Sequence, residues 1–180
     1  MSPQDQLVLF YKLLRQHGLN DSHSGNGSLK HDSSFTITKT GAGADLLNSS
    51  ELSECDLNQI PSKGASLDAG IHQTIYQACP QHNAILHAHN PHTIALTLKD
   101  KMFSPVDFEG KLYFGELSVI ECDADNYLTT MPNRISSALQ NSPIAIVRSH
   151  GVYSAAESLE LAYKWLCSTE QSAKIKWLAS

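Results

Sequence analysis

Apolar positions near the start of the chain recur at helical spacing. Leu7, Phe10, Tyr11 and Leu14 fall at i, i+3, i+4 and i+7, the stripe of an amphipathic helix. Ser2 offers a cap oxygen, Pro3 suits the first turn, and Asp5 faces the positive end of the helix dipole. Gly18 marks the stop. The polar, glycine-bearing stretch from Asn20 to Ser28 reads as turns. Ser34–Thr38 alternates with period two and predicts a strand, which Lys39–Gly43 breaks. Ser66 is placed to cap a second helix reaching about Ala78, where Pro80 ends it. Ala84–His89 is a short, mostly apolar strand. Asn90 then caps a helix over Pro91–Leu98, with proline at its first position. Leu117–Glu121 and Ile144–Val147 predict strands, and Pro132–Gln140 predicts a helix. A long helix runs from about Ser158 to Leu178, and Pro105–Gly110 reads as a turn with a hydrophobic anchor. Helices and strands are mixed throughout, which predicts an α/β chain of three layers around a central sheet.

The 180 residues fit one domain, 1–180, with no internal repeat. Hydrophobic residues make up 41% and charged residues 17%, a globular balance. The formal net charge of −5, with no basic cluster, argues against a partner bound through phosphate neutralisation, so no nucleic acid is expected. The longest apolar runs are far too short to span a bilayer, so no membrane partner is expected either. Cys55, Cys79, Cys122 and Cys167 are widely spaced and follow no metal-finger pattern. They read as free thiols of a cytoplasmic protein.

Nine histidines are the unusual feature of the composition, four of them within Gln81–His92. His87 and His89 are two apart on a predicted strand, so their rings leave the same face. Two imidazoles so placed can hold one ion, and catalytic zinc takes three protein ligands and keeps one position open. His150 is the third candidate: it follows a buried strand and precedes Gly151, whose freedom permits a tight turn back over the sheet edge. His92 competes, but on the helix opened by Pro91 it is expected to point away. His17, His23, His31 and His82 read as surface residues. Asp68 and His72 stand i, i+4 on the second helix and share a face. The helix dipole explains a carboxylate there, and a general base beside a metal is the functional alternative. Ser24–Ser28 and Thr40–Gly43 are Gly-bearing turns whose backbone N–H groups can form anion nests.

Taken in order, Ser24-Gly-Asn-Gly-Ser28, Lys39-Thr-Gly41, Pro61-Ser-Lys-Gly-Ala-Ser66, Ile71-His-Gln-Thr-Ile-Tyr76, His87-Ala-His89 and Ser149-His-Gly151 resemble the class II aldolase/adducin head family. The resemblance runs from about Tyr11 to Lys174. It implies an α/β/α sandwich with a largely antiparallel or mixed sheet. It also implies a Zn2+ or similar divalent ion on His87, His89 and His150. A phosphate pocket from Gly25, Asn26, Thr40, Gly41 and Ser66 is implied as well, in a homotetramer whose sites lie between subunits. The implied activity is a zinc-dependent lyase on a small sugar phosphate or hydroxy-ketone, working through a stabilised enediolate. Dehydratase, epimerase or decarboxylase chemistry on the same site, or a non-catalytic scaffold, are the alternatives. Two departures stand out. Asp68 occupies the place of the family's catalytic glutamate, with a reach about 1.5 Å shorter. Leu67 replaces a second pocket serine. The family's tyrosine proton donor comes from a neighbouring subunit; Tyr113 and Tyr127 both stay open for it and neither is assigned.

Overall fold

A computed structural model describes residues 1–180. Its elements run α1 (Pro3–Gln16), β1 (Asn26–His31), β2 (Ser34–Thr38), β3 (Leu52–Asp56), α2 (Ala69–Ala78), β4 (Ala84–Ala88) and α3 (Pro91–Thr97). They continue with β5 (Met102–Phe103), α4 (Phe108–Tyr113), β6 (Leu117–Ile120), α5 (Tyr127–Leu139), β7 (Ile144–Val147), β8 (Gly151–Ala156) and α6 (Leu159–Leu178). The strands form one mixed sheet in the order β3-β2-β1-β4-β8-β7-β6-β5. All neighbours are antiparallel except β6 and β7, which run parallel. This is the expected three-layer α/β/α arrangement.

Strand period two divides the core between the two faces. Leu86 and Ala88 of β4 join Leu7, Tyr11 and Leu14 of α1 and Ala162, Leu166 and Ala173 of α6. Ile85 joins Ile71 and Ile75 of α2 and Met131, Ile135 and Leu139 of α5 on the opposite face. His87 has the parity of Ile85, so it faces α2 and α5. Burying a side chain such as Ile85 completely contributes roughly 1.5–3 kcal/mol.

Several local expectations are met by the structure. Ser2 Oγ accepts from the Asp5 N–H at 3.1 Å, and Gly18 is left-handed at φ 70° just past α1. All four cysteines are unpaired thiols. Other expectations are corrected. The Asn20–Ser28 turn region ends earlier, because Asn26 opens β1, which pairs with β2 on one side and β4 on the other. Two flanking ladders hold a strand whose Asn, Gly and Ser content reads as a turn. Strand β8 was not anticipated: all six of its residues are buried, so it shows no alternation. Helix α5 begins at Tyr127, with Pro132 inside it rather than at its start. Helix α2 has Asp68, not Ser66, at the cap position. Asn90 makes no side-chain cap bond to α3. Instead Glu170 of α6 accepts the N–H groups of His92 and Thr93 at 3.0 and 3.1 Å. Finally, Phe108 is no anchor: it lies exposed on α4, a short helix capped by Asp107.

Candidate metal centre

Strand β4 carries His87 toward α2 and α5, and His89 follows just past the strand's end. The turn between β7 and β8 brings His150 to the same place. That turn holds Ser149 at φ 60° and Gly151 at φ 156°. A side chain at 151 would run into the Ala88 carbonyl oxygen and stand 3.0 Å from His87 Cε1. Only glycine lets the turn approach β4 this closely. The ligand atoms of His87, His89 and His150 all lie within 4.8 Å of one another. His87 Nε2 and His89 Nε2 are 3.2 Å apart. Two nitrogens each about 2.0–2.1 Å from a tetrahedral ion would stand about 3.3 Å apart, so this pair fits a shared ion closely.

The surroundings prepare these rings as ligands. His87 Nδ1 lies 3.1 Å from the Val152 carbonyl. A carbonyl only accepts, so Nδ1 carries the hydrogen and Nε2 keeps its lone pair for an ion. The His89 backbone N–H donates to Asn20 Oδ1 at 2.9 Å, which pins the chain as it leaves β4. Burial lowers the pKa of all three imidazoles. For His87 the shift is large, and the neighbouring His150 ring adds to it. Neutral imidazoles at neutral pH are the form that binds a metal ion. His92 is absent from the cluster, its Nδ1 held by Glu170 at 2.6 Å.

Asp68 sits at the mouth of α2, but its carboxylate does not cap the helix. It turns into the cleft, where Oδ2 accepts from Asn26 Nδ2 at 2.8 Å and from the Tyr153 hydroxyl at 2.7 Å. Oδ1 accepts from the Tyr127 hydroxyl at 3.2 Å. Tyr127 also stands 3.2 Å from His150 Nδ1 and 2.6 Å from the Tyr153 hydroxyl. Burial pushes the Asp68 pKa up, but the His87 ring and the bonds from Tyr153 and Asn26 pull it down further. The net shift is below the usual carboxylate range. Donors on both oxygens and the neighbouring ring thus outweigh burial. Asp68 is ionised at neutral pH. Behind it, His72 is fully buried with Nδ1 on Ser28 Oγ at 2.7 Å and Nε2 without a partner.

All nine residues singled out from the sequence line one cleft of about 410 Å³. Gly25, Asn26, Thr40, Gly41 and Ser66 line it together with Asp68, His87, His89 and His150. Gly25 and Gly41 are left-handed, at φ 71° and 72°. The Thr40 hydroxyl donates to the Ala65 carbonyl at 2.8 Å. Asn26 Nδ2 is taken by Asp68, and its Oδ1 is buried without a partner. Lys39 and His23 add basic groups at the rim, while Leu67 and Leu128 form an exposed apolar lip. His23 therefore belongs to the cleft wall, and His31 and His82 are half-buried rather than on the open surface. Sequence reasoning missed Asn20, Glu170 and Tyr153, and left Tyr127 undecided against Tyr113. Tyr113 lies elsewhere, packed on Trp165.

Comparison with known proteins agrees with the fold. The family model for the class II aldolase and adducin N-terminal domain matches residues 5–177. The L-fuculose phosphate aldolase of Methanococcus vannielii is 26% identical over 152 residues, covering 84% of this chain and 82% of that protein. The enzyme of the same name from Escherichia coli is 25% identical over 151 residues, covering 83% and 70%. The crystal structure of L-fuculose-1-phosphate aldolase from Thermus thermophilus superposes with a TM-score of 0.91 at 26% identity, covering 97% of this chain and 92% of that one. A sugar-phosphate aldolase from Thermotoga maritima shares the fold at a TM-score of 0.80 and 16% identity, covering 96% and 92%. Class II aldolases are metal-dependent, and the chain offers a trio of histidines able to hold an ion. The chain belongs to the class II aldolase and adducin N-terminal domain family.

Proposed function

We propose that the protein is a zinc-dependent lyase that cleaves or forms a C–C bond in a small sugar phosphate or related hydroxy-ketone. The observation that carries this reading is the convergence of three neutral imidazoles and an ionised carboxylate in one cleft, which two Gly-bearing turns also line. The relatives named as fuculose-phosphate aldolases support the substrate class. In this reading residues 1–180 act as one unit, cytoplasmic and homotetrameric.

His87, His89 and His150 would hold the ion, whose chemistry is that of a Lewis acid polarising the substrate carbonyl. Three protein ligands leave room for the substrate. Asp68 is the proton acceptor. It is ionised before substrate arrives, and the donors on its oxygens fix its direction. The turns at Gly25/Asn26 and Thr40/Gly41, with Ser66, bind the anionic end through the Gly25 and Gly41 N–H groups and the Ser66 hydroxyl, since the Thr40 and Ser66 N–H groups are held by the Gly64 and Thr38 carbonyls. Lys39 strengthens that end electrostatically. Leu67 removes a hydroxyl from it and narrows the mouth.

The test is a substrate panel with the zinc-loaded protein, L-fuculose 1-phosphate included. Release of two carbonyl fragments supports the lyase. Loss of water or of carbon dioxide points to a dehydratase or decarboxylase on the same site. A protein that binds no metal and stays inert when zinc is supplied is a scaffold, and the proposal fails.

A further inference from the structure

We propose that Tyr153 is a positioning residue that registers the Asp68 carboxylate against the metal-ligand strand, its hydroxyl holding Asp68 and its ring backing His87. Asn26 of β1 is the cross-strand partner of His87, and Tyr153 of β8 is its partner on the other side. The three residues form one row across β1, β4 and β8, all buried. Side chains of one row leave the same face of the sheet, with neighbouring Cβ atoms about 4.5–5.5 Å apart. Both ends of this row reach the same atom: Asn26 Nδ2 and the Tyr153 hydroxyl each donate to Asp68 Oδ2, at 2.8 and 2.7 Å. The carboxylate is therefore suspended over the middle of the row, where His87 stands.

The Tyr153 ring adds a second restraint. It stacks on the His87 imidazole with centroids 4.0 Å apart and planes 10° apart. One rigid side chain thus touches the acid/base group with its oxygen and a metal ligand with its face. Ala145, its neighbour on β7, is small and lies beside it on the same face. Tyr127 closes the top of the assembly, 2.6 Å from the Tyr153 hydroxyl. A phenylalanine would fill this space equally well. The hydroxyl is what connects the site. Because it sets distance rather than supplying a proton, Tyr153 acts through Asp68 and His87 and has no catalytic step of its own. An error of about 1 Å in such a placement can cost on the order of a hundredfold in rate.

The kinetic part of the test rests on the lyase reading; the structural and metal-binding parts do not. Tyr153→Phe removes one oxygen and no ring. It is expected to bind zinc within about threefold of the parent, measured by chelator competition, and to lower kcat roughly 10- to 100-fold with KM within about threefold. Combined with Asp68→Asn it is expected to be no slower than Asp68→Asn alone, since both remove the same arrangement. In its crystal structure the Asp68 carboxylate is expected to swing by about 1 Å or more from the place over His87. Tyr153→Leu also removes the stack, and is expected to weaken zinc roughly 10- to 100-fold. A Tyr153→Phe protein with parental kcat, with losses that multiply with Asp68→Asn, or with an unmoved carboxylate overturns the hydroxyl's role. Tyr153→Leu with parental zinc affinity overturns the ring's role. If the zinc-loaded parent turns over no substrate, the lyase reading fails. The crystal structure of Tyr153→Phe then decides the hydroxyl's role, and it does so even where Tyr153→Leu does not fold.

Discussion

Acidification separates the folded and unfolded chains at His72. The ring is fully buried, and burial lowers its pKa from the ordinary 6.5 to about 4, against a smaller upward pull from Asp68. The unfolded chain binds a proton on this ring below pH 6.5, while the folded chain refuses it until about pH 4. Stability rises with pH wherever the unfolded state holds more protons, so stability is lost as pH falls from about 6.5 toward 4. At pH 4.5 the unfolded ring is almost fully charged and the folded ring mostly neutral. The loss between pH 7 and pH 4.5 comes to about 2 kcal/mol, a large share of the roughly 5–15 kcal/mol of a typical domain. Histidines 87, 89 and 150 shift in the same direction and would blur a simple pH scan. The clean assay is therefore a difference. Urea unfolding of the metal-free parent and of His72→Gln is measured at several pH values from 7.5 to 4.5. Groups common to both proteins cancel. Gln is uncharged and offers an amide to Ser28. The variant is less stable at pH 7, and the gap is expected to narrow by about 2 kcal/mol on reaching pH 4.5. A gap that stays constant across this window refutes the claim that a neutral buried imidazole is linked to stability.

Asp68→Asn keeps the shape of the acid/base group and removes its basicity; kcat for the substrate found in the panel is expected to fall by about 10²–10⁴-fold with zinc still bound, measured by steady-state kinetics and elemental analysis. Gly151→Ala puts a methyl group into the Ala88 carbonyl and beside His87. It is expected to lower stability by about 2 kcal/mol and to weaken metal binding, read by thermal unfolding and chelator competition. Glu170→Ala removes the acceptor for the first N–H groups of α3 and for the His92 ring. It is expected to lower stability by about 1–3 kcal/mol in urea unfolding, with kcat changed far less than in Asp68→Asn.

The parts of this molecule that were legible in its sequence share a cause: a single period, or a single residue with one physical use. His87 and His89 could be read as a pair because a strand repeats every two residues. Gly151 after His150 could be read as a tight turn because glycine has no Cβ. The helix stripe of Leu7, Tyr11 and Leu14 was equally plain. What stayed hidden depends on partners distant in the chain. Strand β1 is built from turn-forming residues and exists through its ladders to β2 and β4. Strand β8 is buried on both faces and shows no alternation, so Tyr153 had no assigned face. Without that face, the row from Asn26 through His87 to Tyr153 could not be assembled. The cap of α3 was sought in the adjacent Asn90, yet that side chain donates to the Leu166 carbonyl while Glu170 serves the helix from the far end of the chain. The hydrogen bonds that hold Asp68 stayed hidden for the same reason. Its burial was foreseeable from the helix, whereas its three donors come from β1, α5 and β8.

The proposed chemistry needs three imidazoles sharing one ion, and metal stoichiometry by inductively coupled plasma mass spectrometry reads that sharing out. The parent protein, saturated with zinc and freed of excess by gel filtration, is expected to carry about one ion per chain, and His87→Ala, His89→Ala and His150→Ala to carry almost none under the same conditions. A parent that retains no metal, or a His150→Ala protein that keeps the full complement, would contradict it.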